Sequence, residues 1–197
     1  MQPLTRRSLA LFALTALAAL PLALRASARG QDGGAAARPL PGLLYPRTVV
    51  LVRHAEKAGE PPDDPTLDER GAARAERLAQ LLGHSGVTHL YATEYQRTQQ
   101  TIAPLAAAAE VNVAIVRARD GRALLSALDN LPRNAVAVVA GHSNTVPALV
   151  EKLAPGSYTV QHARESLQLT EADYDRVFVV TQWGPEPRDA SVLELRY

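Results

Sequence analysis

Thr48-Val49-Val50-Leu51-Val52, followed at once by Arg53-His54-Ala55-Glu56-Lys57, decides how this chain is read. Five apolar or β-branched residues without a polar interruption describe a strand covered on both faces, because a half-exposed strand would alternate. The same passage from apolar run to polar loop recurs twice. Ala135-Val136-Ala137-Val138-Val139-Ala140 runs into Gly141-His142-Ser143-Asn144-Thr145, and His89-Leu90-Tyr91-Ala92 runs into Thr93-Glu94-Tyr95-Gln96-Arg97-Thr98. Helical patterns lie between these runs. Asp68 stands as the N-cap of a helix whose apolar face, Ala72, Ala75, Leu78, Ala79 and Leu82, follows the 3.6-residue period. Gly83 and Gly86 end it. Further helices are expected over 97–109, 121–131 (closed by Pro132) and 145–153, with Pro147 tolerated in the first turn of the last. Further strands are expected over 87–91, 111–116, 177–181 and 192–195, the last two open to an antiparallel arrangement. Strands alternating with helices predict an α/β fold, a three-layer sandwich with a mainly parallel central sheet flanked by helices.

The 197 residues suit one domain, and 47% hydrophobic with 21% charged residues is ordinary for a globular chain. A formal charge of +1 argues against a nucleic-acid binder working by bulk electrostatics. The absence of cysteine excludes disulfides, thiolate metal sites, a cysteine nucleophile and a lipid anchor on cysteine. Met1 to Arg7 is a short basic region, 9–24 is apolar except for Thr15 and Pro21, and Ala26-Ser27-Ala28 supplies small residues for cleavage. That layout predicts a signal peptide over 1–28, and hence export to a bacterial periplasm or the extracellular medium. At roughly 16 residues the apolar run falls short of the ~20 of a spanning helix, so no stable membrane insertion is expected after cleavage. Thr5-Arg6-Arg7-Ser8-Leu9 resembles a twin-arginine export signal in part, which leaves both export routes, and retention as an anchor, open. Gly, Ala, Pro and Arg without periodicity over 29–46 read as a flexible linker before a domain over 47–197.

In open α/β sheets, ligands bind outside the carboxyl ends of the strands. Three strand ends here deliver Arg53, His54, Arg97 and His142 to one rim. A phosphomonoester calls for rigid, permanently charged donor forks, which arginine provides. Attack at phosphorus without metal or cysteine calls for another nucleophile, and neutral imidazole serves near pH 7. His54 would attack while Arg53, Arg97 and His142 stabilise the equatorial oxygens. A helix starting near Thr145 or Arg97 could add backbone N–H donors. No cofactor is implied, and no metal, since two arginines would repel a cation. The set lacks only a clear proton donor.

Leu51-Val52-Arg53-His54-Ala55-Glu56-Lys57 resembles the Arg-His-Gly type signature of the histidine phosphatase (phosphoglycerate mutase-like) superfamily, with Ala55 where many members have glycine. Thr93 to Thr101 is similar to its second arginine segment, Leu67 to Ala75 to the helix opening between them, and Gly141-His142-Ser143-Asn144 to its second-histidine segment. The four fall in the family's order, and a weaker likeness continues through Asp173-Tyr174-Asp175-Arg176 to Val180. The resemblance implies a phosphoglycerate mutase-like fold, a phosphohistidine formed on His54, and a phosphate pocket of Arg53, Arg97 and His142. Ser143 stands where the acid branch often has aspartate, which points to the compact branch. The insertion that commonly brings a glutamate proton donor there is missing. Glu94, within the motif loop, is therefore ranked ahead of Asp120 and Glu56 as the donor. Glu56 is expected to organise the loop or to form a solvated pair with Lys57, and Asn144 to orient His142 or cap the next helix.

These residues point to a metal-independent phosphomonoester hydrolase acting on a phosphorylated small molecule. The alternatives are a binding module for phosphate or phosphoprotein that has lost the chemistry, and a protein phosphohistidine phosphatase. His84, His89 and His162 are expected in structural roles. Arg117, Arg119 and Arg122 form a charge run that is solvated or greets an anion, and Trp183 lines the pocket mouth or packs on the core. No motif speaks to the particular substrate or the oligomeric state.

Overall fold

Arg47–Arg53 forms the first strand, β1, in the computed structural model, which describes residues 46–156, 168–184, 186 and 189–197. The expected signal peptide, nearly all of the linker, and His162 lie outside these residues. The elements follow as α1 (Glu69–Leu82), β2 (His89–Ala92), α2 (Gln96–Ala109), β3 (Val113–Ile115), α3 (Gly121–Asp129), β4 (Val136–Gly141), α4 (Thr145–Leu153), β5 (Arg176–Gln182) and β6 (Ala190–Arg196). They make one six-stranded sheet in the order β3-β2-β4-β1-β5-β6. The β3, β2, β4 and β1 strands are mutually parallel, while β5 runs antiparallel to β1 and β6 antiparallel to β5. This is the expected mainly parallel α/β sandwich, with antiparallel strands on one side.

The continuous apolar run of β1 is buried on both faces. Val50 and Val52 face α1 and α2, packing with Leu78, Leu90, Ile102, Leu105 and Val138. Val49 and Leu51 face α3 and α4, packing with Leu128, Val139, Val146, Val150 and Phe178. Each face thus has its own core, and β1 and β4 hold both together.

Two expectations about α1 need comment. Asp68 caps it as expected, its carboxylate accepting from Gly71 N–H at 2.7 Å. Ala72, placed on the apolar face, is instead exposed, and Gly71 is buried in its stead. The reason is a close approach: a Cβ at Gly71 would run into the backbone carbonyl of Glu56. The helix therefore seats its glycine, not its alanine, against the loop after β1. The third strand and third helix are shorter than their apolar patterns: Val111, Val116 and Leu131 pack against the core from just outside the regular elements. Among the described residues no helix is long and apolar enough to cross a membrane.

Candidate active site

Register brings the motif residues together. Arg53 at the end of β1 is paired with Gly141 at the end of β4, and Ala92 at the end of β2 with Ala140. The next residues on the three strands are therefore neighbours: His54, His142 and Thr93. His54 N–H bonds the Gly141 carbonyl at 2.8 Å, fastening two of these loops to each other. Arg97 arrives in the first turn of α2, stacked over the ring of Tyr95 at 4.3 Å. All four expected phosphate-site residues line one open pocket of about 460 Å³.

The ring of His54 is held in one tautomer. Its Nδ1 lies 2.8 Å from the Ala55 carbonyl, which can only accept, so Nδ1 carries the proton and Nε2 keeps its lone pair. Burial pushes the pKa of His54 down to about 4, against the pull of the Ala55 bond and with help from the charges of Arg53, His142 and Arg97. The imidazole is neutral at pH 7, as a nucleophile must be.

His142 stands 5.5 Å away, centroid to centroid, its ring edge-on to that of His54. Its Nε2 is 3.1 Å from Thr93 Oγ1. Thr98 donates its hydroxyl proton to the Tyr95 carbonyl at 2.8 Å and lies 2.8 Å from Thr93 Oγ1. The Thr93 proton then goes to Thr98, so Thr93 receives Nε2–H from His142. Only Nδ1 of His142 is left for a phosphoryl oxygen, and it donates once the ring is doubly protonated. Burial and then Arg97 lower the pKa of His142 to about 4, with Glu94 pulling the other way and Arg53 adding to the drop. A bound dianion would reverse both charge effects.

Arg53 is 3% exposed and tied into a loop that no motif revealed. Its Nη1 donates to the Thr170 carbonyl at 2.7 Å, and its Nη2 to Glu171 Oε1 at 2.7 Å and Tyr174 Oη at 3.2 Å. The guanidinium stacks 4.0 Å from the Tyr174 ring centroid. Its Nε–H is buried with no partner among the described residues. Glu171 lines the pocket, and hydrogen bonds from Tyr174 and Arg53 hold its carboxyl below the usual range. The strand rule missed this loop for a topological reason. Since β5 is antiparallel to β1, it is the loop entering β5, not the one leaving it, that reaches the rim with the pocket. The weak likeness around Tyr174 was the available clue.

The remaining expected site residues divide. Glu94 does not line the pocket: its Oε2 accepts from Ala118 N–H at 2.7 Å on the exposed side of the loop. Slight burial raises its pKa, but the Ala118 bond and its own backbone N–H outweigh this and leave it lowered. An ionised, hydrogen-bonded carboxylate outside the pocket is not poised to donate a proton. Asp120 caps α3, accepting from Ala123 N–H at 2.9 Å. Glu56 is buried and gripped by Arg74, Nε to Oε2 at 2.8 Å and Nη2 to Oε1 at 2.7 Å, with Arg70 at 3.5 Å. It organises the loop and does not pair with Lys57, which is exposed and lines the pocket. Asn144 lines the pocket but makes no side-chain cap bond; Thr145 Oγ1 takes the His142 N–H at 2.8 Å instead. At α2 the Gln96 N–H is taken by Asp64 at 2.9 Å, so that terminus offers less to a ligand than expected.

Arg119 joins the pocket wall, while Arg117 and Arg122 do not. His84 is exposed, and His89 sits at the start of β2, at the far end from the pocket. Trp183 follows β5, whose last residue pairs with Arg47, so it too lies at the opposite end of the sheet, 47% exposed. It neither lines the pocket mouth nor packs in the core. Among the described residues no three His, Cys, Asp or Glu side chains gather as a metal site would require.

Two neutral histidines and two arginines at the carboxyl rim of a parallel sheet form the kind of donor set that a phosphoryl group calls for. Residues 49–120 match the model of the histidine phosphatase superfamily (branch 1). Solved structures share the fold. The protein histidine phosphatase SixA, complexed with tungstate, superposes with a TM-score of 0.59 at 16% identity, over 76% of this chain and 96% of that one. A SixA-type protein of Nakamurella multipartitia gives 0.56 at 24% identity over 77% and 96%. A mycobacterial glucosyl-3-phosphoglycerate phosphatase gives 0.54 at 14% identity over 77% and 98%.

Proposed function

We propose that this chain is a metal-independent phosphomonoester hydrolase that works through a phosphohistidine on His54, in an exported setting. The observation that carries the reading is the His54 tautomer: Nδ1–H engaged by the Ala55 carbonyl and Nε2 free, in one pocket with Arg53, Arg97 and His142. In the first step the Nε2 lone pair forms a bond to phosphorus as the P–O bond to the alcohol breaks. The departing oxygen keeps the electron pair and takes its proton from solvent. In the second step water attacks phosphorus, the P–N bond breaks, and its electron pair returns to Nε2 while a water proton goes to solvent. Arg53 and Arg97 neutralise the charge on the equatorial oxygens, joined by His142 once the bound dianion has raised its pKa and put a second proton on the ring, at Nδ1.

Glu171 is the one carboxylate lining the pocket among the described residues, and Arg53 and Tyr174 keep it ionised. Leaving groups that need little protonation are therefore favoured, such as phenols or the imidazole of a phosphohistidine. That gives the protein phosphohistidine phosphatase reading some weight, alongside the name of the SixA structures. Hydrolysis of p-nitrophenyl phosphate with EDTA present, beside His54→Ala, tests the proposal. Turnover that persists in EDTA and vanishes in the variant supports it. Vanadate binding without turnover would leave the phosphate-binding module instead.

A further inference from the structure

A second cavity, of about 110 Å³, opens beside the phosphate pocket between α3, α4 and the sheet. Its walls are mainly apolar, with Leu124 and Leu125 from α3, Ala148 and Leu149 from α4, and Val139 and Ala140 from β4, while Arg117, Asp120 and Lys152 also line it. Ala118 and Thr145 line both the cavity and the phosphate pocket, so the two spaces adjoin at these residues. Glu94 holds Ala118 in place through the Ala118 N–H, which gives that carboxylate a role in fixing the boundary between the two spaces. Thr93, on the cavity wall, contacts His142 Nε2.

Two features mark the cavity as more than loose packing. Interiors pack with few voids larger than a water, yet here Leu124, Leu125 and Ala148 are left only half-buried around one gap. The gap also contains a polar handle. Tyr91 is 8% exposed, lines the cavity, and its hydroxyl has no hydrogen-bond partner among the described residues. The hydroxyl is not among the sealed-off polar atoms, so it stays accessible and could hydrogen-bond a ligand atom. An apolar cavity of roughly 150 Å³ is enough to admit benzene, so a single ring or a branched alkyl group is near the limit here. Apolar walls with one or two convergent polar groups are the usual make-up of a small-molecule site.

We propose that this cavity receives the alcohol portion of the substrate, a compact aromatic or branched-alkyl group with one polar atom facing Tyr91. The inference rests on the phosphatase reading and narrows it to esters of apolar alcohols. With phosphorus at His54, the ester oxygen would lie toward Ala118 and Thr145, and the apolar group would enter between them.

Calorimetric titration of the full chain with methylphosphonate and benzylphosphonate, which cannot be hydrolysed, tests this without relying on turnover. Burying the ring predicts that benzylphosphonate binds about tenfold or more tightly than methylphosphonate. Ala148→Phe, which fills the cavity, should bring that ratio close to one, and the milder Ala148→Val should give an intermediate ratio even if the phenylalanine variant does not fold. A wild-type ratio near one, or a ratio that Ala148→Val and Ala148→Phe leave unchanged, overturns the subsite while methylphosphonate binding still upholds the phosphate pocket. Failure of both phosphonates to bind sinks the two readings together.

Discussion

Gly71 is the position where a single methyl group should disable the protein. It lies in the first turn of α1, and a Cβ built there would sit well inside contact distance of the Glu56 carbonyl oxygen and 3.0 Å from both Glu56 N and C. Backbone, unlike the tip of a side chain, cannot swing aside. The same carbonyl already accepts from Asp68 N–H at 3.0 Å, and the Glu56 carboxylate is pinned by Arg74, so the loop is anchored from two directions. To restore ordinary contact, helix and loop must separate by on the order of 1 Å. Glu56 is two residues from His54, the proposed nucleophile, where a shift of that size should cost about 100-fold in rate. Overpacking should also destabilise the fold by about 1–3 kcal/mol, outweighing the few tenths gained from a stiffer unfolded chain. The assay is kcat/KM for p-nitrophenyl phosphate together with urea unfolding of Gly71→Ala. Wild-type stability with wild-type turnover would refute the claim that this contact sets the nucleophile loop.

Two further outcomes follow from the charges in the site. The pKa values of His54 and His142 lie at about 4 in the folded protein, below the ordinary 6.5, so between these values the unfolded chain binds protons that the folded one does not. Stability is then full above about pH 6.5 and falls as the pH drops toward 4, with the His54 contribution amounting to about 2 kcal/mol by pH 5. Urea titrations at pH 7.5 and 5 should show His54→Gln losing less stability than the wild type, and equal losses would contradict the buried neutral ring. For Glu94→Gln, activity on an alkyl phosphate should stay within a few fold of the wild type. A drop of about 100-fold on the alkyl ester with the aryl ester spared would mark Glu94 as the proton donor after all.

Much of the fold was legible because both faces of β1 and β4 are covered, which makes their apolar runs unbroken. The pocket was legible for the same reason: parallel strands end at one rim, so reading the residues after 52, 92 and 140 collected Arg53, Arg97, His54 and His142. What stayed hidden depended on long-range register. Glu171 and Tyr174 reach Arg53 from a sequence distance of more than a hundred residues, through a strand whose antiparallel direction reverses the reading rule. Helical periodicity alone could not tell Gly71 from Ala72, since the choice is made by the Glu56 carbonyl rather than by hydrophobicity. The ranking of Glu94 rested on its place in a motif loop, which says nothing of where its carboxylate points, and it points to Ala118. The Asn144 cap failed similarly, with Thr145 supplying the hydroxyl one residue later.

The central claim is a covalent bond between His54 Nε2 and phosphorus, and rapid quenching in alkali tests it most directly. Phosphoryl-labelled p-nitrophenyl phosphate mixed with the full chain should leave label on the protein that survives alkali, is lost in acid, maps to the segment containing His54, and is absent from His54→Ala. Turnover with no trapped label, or label that resists acid or persists in His54→Ala, would contradict the account.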